Sequence, residues 1–258
     1  MSPLDQLLRR IGSTGRSADV SAQGWRGDAL FGWISIVLTI VVAIIVVHLA
    51  LVLWRSRRAG LPSAARGDDP RARLLVAAVT LALFVAVDGV ALVHGDRDLR
   101  EGLLRVPAVA ERPIDVEVLA QQWAWSFRLA GDDGRFGTDD DVVTLHELRL
   151  PVGRPARLWL RSKDVIHSLY LPQLRLKRDA QPGTTTELLL EPTAAGRYEI
   201  ACAQHCGVNH YLMRGTLEVV DEPAFARWLH DESALQRTRA AALPSGGAWG
   251  WPLPEAPR

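Results

Sequence analysis

Residues 202–213 read Cys-Ala-Gln-His-Cys-Gly-Val-Asn-His-Tyr-Leu-Met, which places two thiols, an imidazole and a thioether within one short loop. Cys and Met sulfurs are soft ligands that suit copper, while imidazole suits copper or zinc. Zinc normally fills its positions with Cys or His and does not recruit Met. Single-copper sites on small β-sandwiches use one Cys, whereas this loop carries Cys202 and Cys206. Two thiolates separated by three residues can bridge two metals with their sulfurs, which points to a binuclear centre. Cys202 and Cys206 are the only cysteines in the chain, so no framework of several disulfides is possible. A single C-x-x-x-C disulfide is the plain alternative. A second imidazole is needed, one per copper. His167, in Ser-Lys-Asp-Val-Ile-His-Ser (162–168), lies between predicted strands, as a ligand from a neighbouring loop should. Standing alone, His167 would read as a structural histidine.

The elements that must position these side chains are short strands. Residues 114–129, 156–162, 185–191, 197–203 and 216–221 are runs of partial apolar/polar alternation rich in Val, Leu, Trp and Tyr. Gly-, Pro- and Asp-rich turn signals separate them. No long helical period occurs between 111 and 220, which predicts a small antiparallel sandwich or Greek-key barrel. Residues 222–243 read as a helix followed by a Pro/Gly-rich loose tail. The segment Gly-Asp-Asp-Gly-Arg-Phe-Gly-Thr-Asp-Asp-Asp (131–141) lacks the spacing of an EF-hand and reads as an exposed acidic hairpin loop.

Ahead of the strands the composition changes. Residues 31–54 contain no charged side chain and would extend about 36 Å as a helix, enough to cross a bilayer. A cleaved signal peptide fits poorly, because thirty mostly polar residues precede the run. A second, weaker span covers about 74–94 and carries Asp88, which suggests a partner helix, water or the interface at that depth. The connection 55–73 holds Arg55, Arg57, Arg58, Arg66, Arg71 and Arg73 against Asp68 and Asp69. That excess places the connection in the cytoplasm, and both the N-terminus and the C-terminal domain outside. The expected organisation is a periplasmic segment (1–30), a transmembrane hairpin (31–95), a β-domain (111–221) and a C-terminal helix with tail (222–258). Formal net charge is +1 and no basic patch interleaved with aromatics occurs, so nucleic acid is not an expected partner.

Four separated motifs carry a family resemblance: Gln-Gln-Trp-Ala-Trp-Ser-Phe (121–127), residues 162–168, Leu-Lys-Arg-Asp-Ala-Gln-Pro-Gly (176–183) and residues 202–213. In order and spacing, and with two preceding membrane helices, the chain resembles the CuA-bearing subunit II of haem-copper cytochrome c oxidases over roughly residues 31–230. The resemblance implies a cupredoxin-like Greek-key sandwich carrying two copper ions. Cys202 and Cys206 would bridge both coppers, His167 and His210 would serve one each, Met213 would be a weak axial ligand, and the Gln204 carbonyl would serve the other copper. Trp123 resembles the surface Trp through which cytochrome c passes its electron. The implied partners are subunit I, subunit III and cytochrome c. The implied location is the bacterial inner membrane, two-pass, with the copper domain on the periplasmic side.

Departures from the family narrow these expectations. Gln204 stands where the family often has a Glu that helps bind Mg²⁺, so that Mg²⁺ is not expected. His205 is an extra imidazole expected not to ligate, and no C-x-x-C-H haem attachment motif occurs. The implied function is relay of one electron at a time from cytochrome c to a haem in subunit I, where oxygen is reduced. Alternatives are the CuA subunit of another haem-copper enzyme, such as a nitric oxide reductase, or a membrane-anchored copper carrier. A quinol oxidase subunit would lack the copper ligands.

Overall fold

The computed structural model describes residues 3–59, 70–98 and 113–242. The middle of the arginine-rich connection (with Arg66, Asp68 and Asp69), the stretch 99–112 and the tail 243–258 lie outside the described residues. The chain divides into a helical unit and a β-unit, and the β-unit includes residues 17–24.

The helical unit holds α1 (Pro3–Gly12), α2 (Gly24–Ala59) and α3 (Pro70–Asp98). Gly24–Arg58 and Arg73–Val93 are long and apolar enough to cross a membrane, and neither window has any share buried inside the protein. A soluble core helix would be covered by its own chain. These helices instead present Ile44, Ile45, Val46, Leu81, Phe84 and their neighbours outward, so lipid or another protein must cover them. The chain is a two-pass membrane protein.

The β-unit is a sandwich of two five-stranded sheets. One runs β3 (Val142–Leu145), β2 (Ala124–Leu129), β1 (Ile114–Gln121), β5 (Ala156–Ser162), β8 (Thr186–Leu190). The other runs β4 (Glu147–Pro151), β10 (Arg214–Val220), β9 (Gly196–Cys202), β6 (His167–Leu171), β7 (Leu176–Ala180). Alternation in β5 buries Ala156, Leu158 and Leu160 while Arg157, Trp159 and Arg161 stay half-buried. Register aligns inward residues across strands: Val116 pairs with Leu129 on one side and Leu158 on the other, all fully buried. Each such aliphatic side chain contributes about 1.5–3 kcal/mol by leaving water, which makes this face the source of the domain's stability. A helix, α4 (Glu222–Ala242), follows β10, with Phe225 joining the core.

The strands depart from the sequence reading in three ways. The sandwich is mixed rather than antiparallel, because β1–β5 and β4–β10 pair in parallel. Residues 114–129 form a hairpin, with Gln122 and Trp123 in the turn. No Gly, Pro or Asn marks that turn. It is held instead by distant partners, since the Gln122 N–H donates to Asp164 and its side-chain amide donates to the Cys206 carbonyl. Strands β3, β4, β6 and β7 lie outside the runs read from the sequence, and His167, expected between strands, opens β6. Between β3 and β4, His146 takes a positive φ of 60°. Its N–H donates to Trp125 of one sheet and its carbonyl accepts from Thr216 of the other, so one residue passes the chain between sheets.

Residues 17–24 dock on this unit. Val20 donates to Gln173 O and accepts from Thr193 N–H, Ala22 donates to Glu191 O, and Ser21 bridges Pro192.

Candidate metal centre

Strand ends bring the chemistry together. β9 lies between β6 and β10; β6 begins at His167, β9 ends at Cys202, and β10 begins one residue after Met213. Leu169 pairs with Cys202 and Ala201 with Arg214, so all three ends fall at one edge of the sandwich. The Cys202 N–H donates to Met213 O at 3.1 Å and closes the base of the loop. A 3₁₀ turn over His210–Leu212 then turns the His210 ring back toward the sulfurs. Gly207 has a φ of 123°, and a Cβ there would stand 2.8 Å from Gln122 Nε2 and 3.2 Å from Trp123 Nε1. Only glycine lets the loop lie this close to the β1–β2 turn.

The separations define the cluster. Cys202 Sγ and Cys206 Sγ are 3.7 Å apart, well beyond the ~2.05 Å of a disulfide. A metal about 2.3 Å from sulfur, as for zinc thiolates, can touch both of them at that spacing. Cys206 Sγ is 3.6 Å from His210 Nδ1 and 3.8 Å from Met213 Sδ. His167 Nδ1 is 3.2 Å from Met213 Sδ, and the Gln204 carbonyl oxygen is 3.3 Å from Cys202 Sγ. The ligand atoms of His167, Cys202 and Cys206 lie within 4.8 Å of one another. His167 and Met213 are fully buried and Cys206 nearly so.

Electrostatics favour a cation here. Burial opposes ionisation of Cys202, but its contacts with His167, the backbone at Ser168 and Gln204, and His210 draw the thiol below its ordinary range. Burial, and next to it the Cys202 sulfur, push Cys206 above that range. Cys202 is thus the more readily ionised of the two thiols, and a bound cation would favour loss of the second proton. Burial works against protonation of His167, but Cys202 and Asp164 outweigh it and raise the imidazole.

Asp164 was not singled out from the sequence. Its Oδ1 is 2.9 Å from His167 Nε2, while its carboxylate also accepts the N–H groups of Gln122 and Val165 at 2.7 Å each. Burial opposes its ionisation, yet His167 and those two N–H groups hold Asp164 below its usual value. A carboxylate on one ring nitrogen leaves the other, Nδ1, aimed at the sulfurs, which is the arrangement common behind metal-ligating histidines. The signal was its position three residues before His167 in the 162–168 motif. Gln122 was missed as well, because its partners, Asp164 and Cys206, lie 42 and 84 residues along the chain.

The remaining expected residues are placed as follows. Trp123 packs on the backbone of the metal loop at Gly207. Trp125, two residues on, is fully buried and meets the His167 ring edge-on at 6.1 Å. His205 is exposed with its ring 5.1 Å from that of His210. The acidic segment connects β2 to β3 as a loop, but Asp140 and Asp141 within it are buried.

Comparison with known proteins gives the arrangement a context. Residues 114–220 match the family described as "Cytochrome C oxidase subunit II, periplasmic domain". That span contains every residue of the cluster. Over residues 114–220 the chain is similar to the subunit II family. The chain is similar to the alternative cytochrome c oxidase subunit 2 of Bradyrhizobium diazoefficiens, 38% identical over 152 residues, which cover 50% of this chain and 54% of that one. Cytochrome c oxidase subunit 2 of Thermostichus vulcanus is 33% identical over 160 residues, covering 61% and 45%. The chain thus spans about half the length of the curated relatives it matches. Among solved structures, the periplasmic domain of subunit II of cytochrome oxidase from Bradyrhizobium japonicum aligns at a TM-score of 0.43 and 22% identity, covering 51% of this chain and 98% of that one. The subunit II family binds copper, and the sulfur- and nitrogen-rich donor set of this domain fits that metal.

Proposed function

We propose that this chain is the CuA subunit of a membrane-bound terminal oxidase, taking electrons from a c-type cytochrome and delivering them to a haem in a subunit I. The observation that carries this reading is the convergence of two cysteines, two histidines and a methionine at one end of the sandwich, with the sulfurs 3.7 Å apart. Cys202 and Cys206 would hold the pair of coppers together with His167, Met213, His210 and the Gln204 carbonyl. His167 and Met213 lie 3.2 Å apart, His210 stands 3.6 Å from the Cys206 sulfur and the Gln204 carbonyl 3.3 Å from that of Cys202. When bound, such a centre supplies a one-electron store shared over two metals and two sulfurs. The protein's part is to fix the ligands and keep water away. Asp164 holds the His167 ring, Gln122 holds the Cys206 carbonyl, and Trp125 closes the site from the core.

A collar of exposed apolar side chains rings the loop: Val165 and Ile166 before His167, and Val208, Tyr211 and Leu212 between the ligands. A water-facing apolar collar is costly unless a partner covers it, and a redox partner must come close to the metals. Trp123, against Gly207, is the residue through which the donor's electron arrives. Topology supports the same reading. Residues 17–24 belong to the β-unit and precede α2, and the strands follow α3. A chain that leaves and returns to one unit through two spans forms a hairpin, with the copper domain on the periplasmic face of a bacterial inner membrane.

The test is rapid mixing of copper-loaded chain with a reduced c-type cytochrome. Wild type is expected to oxidise the cytochrome quickly, and Trp123→Phe to do so several-fold more slowly at equal copper content. No transfer from the cytochrome would exclude this donor class, and an unchanged rate in Trp123→Phe would exclude that residue.

A further inference from the structure

α1 is a helix with two faces. Leu4, Leu7, Leu8 and Ile11 recur at one-face spacing, while Asp5, Gln6, Arg9 and Arg10 occupy the rest of its circumference. Part of the apolar arc is covered by α2. Leu8 and Gly12 are buried, and the two helix backbones touch: a Cβ on Gly12 would stand 1.7 Å from the Asp28 carbonyl oxygen, and one on Gly32 1.9 Å from that of Leu8. Arg16 reinforces the junction by pairing with Asp28 at 3.1 Å and lying 4.2 Å over the Phe31 ring. The rest of the arc is uncovered, with Leu4 61% and Leu7 52% exposed.

The crossing point says what covers it. Asp28 is the last charged residue before the apolar run that ends at Trp54, and Gly32 lies one helical turn beyond it. α1 is therefore pinned where α2 passes from polar to apolar surroundings. Its open leucines flank a helix, α2, whose own apolar side chains are exposed at Phe31 and again from Leu38 onward. Two arginines, Arg9 and Arg10, stand in its last turn against one acid, Asp5, in its first. Apolar side chains on one face and basic ones on the other, at that depth, match an acyl-chain and phosphate boundary.

We infer that α1 is an interfacial helix lying in the bilayer surface, with Leu4 and Leu7 among the acyl chains and its arginines at the phospholipid phosphates. This rests on α2 spanning the membrane. The helix would act as a stop that fixes how deeply α2 sits, because Gly12 and Gly32 couple the two backbones without intervening side chains.

The test places a benzoyl-phenylalanine photoprobe singly at Leu4, Leu7, Gln6 or Ile45 in the full chain, in its native membrane with the subunits it assembles with. After illumination, the adducts are identified by mass. Ile45 faces outward in the middle of α2 and reports whether that helix meets lipid. The expected result is phospholipid adducts at Leu4, Leu7 and Ile45, several-fold above those at Gln6. Lipid adducts at Ile45 with protein adducts at Leu4 and Leu7 would overturn the interfacial helix alone, as would equal yields at Leu4, Leu7 and Gln6. Adducts at Ile45 to neither lipid nor another membrane subunit would overturn the membrane reading of α2 and the interfacial helix with it.

Discussion

Cys206, Met213 and Asp164 stand at three distances from the proposed coppers and predict three different losses. Cys206 would supply one of the two thiolates that hold the coppers, so Cys206→Ser should abolish two-copper binding, read as copper per chain. Met213 is fully buried but offers a weak thioether. Met213→Leu keeps its volume and should retain both coppers while shifting the reduction potential, measured by redox titration. Asp164 touches no metal. Asp164→Asn removes the carboxylate from His167 Nε2 and should weaken copper affinity by about 10–100-fold in a chelator competition. Four side chains of the cluster, Cys202, Cys206, His210 and Met213, were legible because soft donors and an imidazole at close spacing have few other uses, whereas His167 was legible only beside them. Asp164 and Gln122 were not legible: Asp164 reaches His167, three residues on, only through the way the chain turns into β6, and Gln122 acts through partners 42 and 84 residues away.

Strands and loops explain why those contacts exist. The β1–β2 turn carries no turn-forming residue and is held by Asp164 and Cys206, so local sequence could not reveal it. Gly207→Ala would push against Gln122 and Trp123 at a positive φ. It should cost about 1–3 kcal/mol and lower copper retention, measured by thermal unfolding and metal content. The acidic loop gives a pH-dependent prediction. Asp141 is 8% exposed, and burial, reinforced by Asp140 and Glu117 against the Gly137 N–H and Arg128, raises its carboxyl to about 6 from 3.8. In the folded state it stays protonated until about pH 6, whereas the unfolded chain ionises near pH 4. Its contribution to stability is therefore complete below about pH 4 and lost as pH rises to about 6. Asp141→Asn should match wild type at pH 4 and exceed it at pH 7 by about 1–2 kcal/mol, since nearby water screens part of the shift. Equal stabilities across that range in denaturant titrations would contradict this.

At the scale of the molecule, hydropathy marked the first membrane helix plainly, because an uncovered 24-residue apolar run has no soluble home, and the second more weakly because Asp88 interrupts it. Partial alternation marked several core strands, and the family resemblance supplied the sandwich. The parallel pairings were not legible, since strand order is set by tertiary packing rather than by period. Nor was the docking of residues 17–24 on the β-unit, which rests on backbone hydrogen bonds joined by the Gln23 side chain donating to Leu189 O and Arg175 donating to Ser17 O. The central claim is that this one sandwich edge binds two coppers rather than one. It is tested most directly by loading the full-length chain with copper and recording metal content together with the EPR spectrum. Two coppers per chain, with an unpaired electron split equally by both nuclei, is the result expected. One copper per chain with a single-nucleus pattern, or zinc in its place, would contradict it.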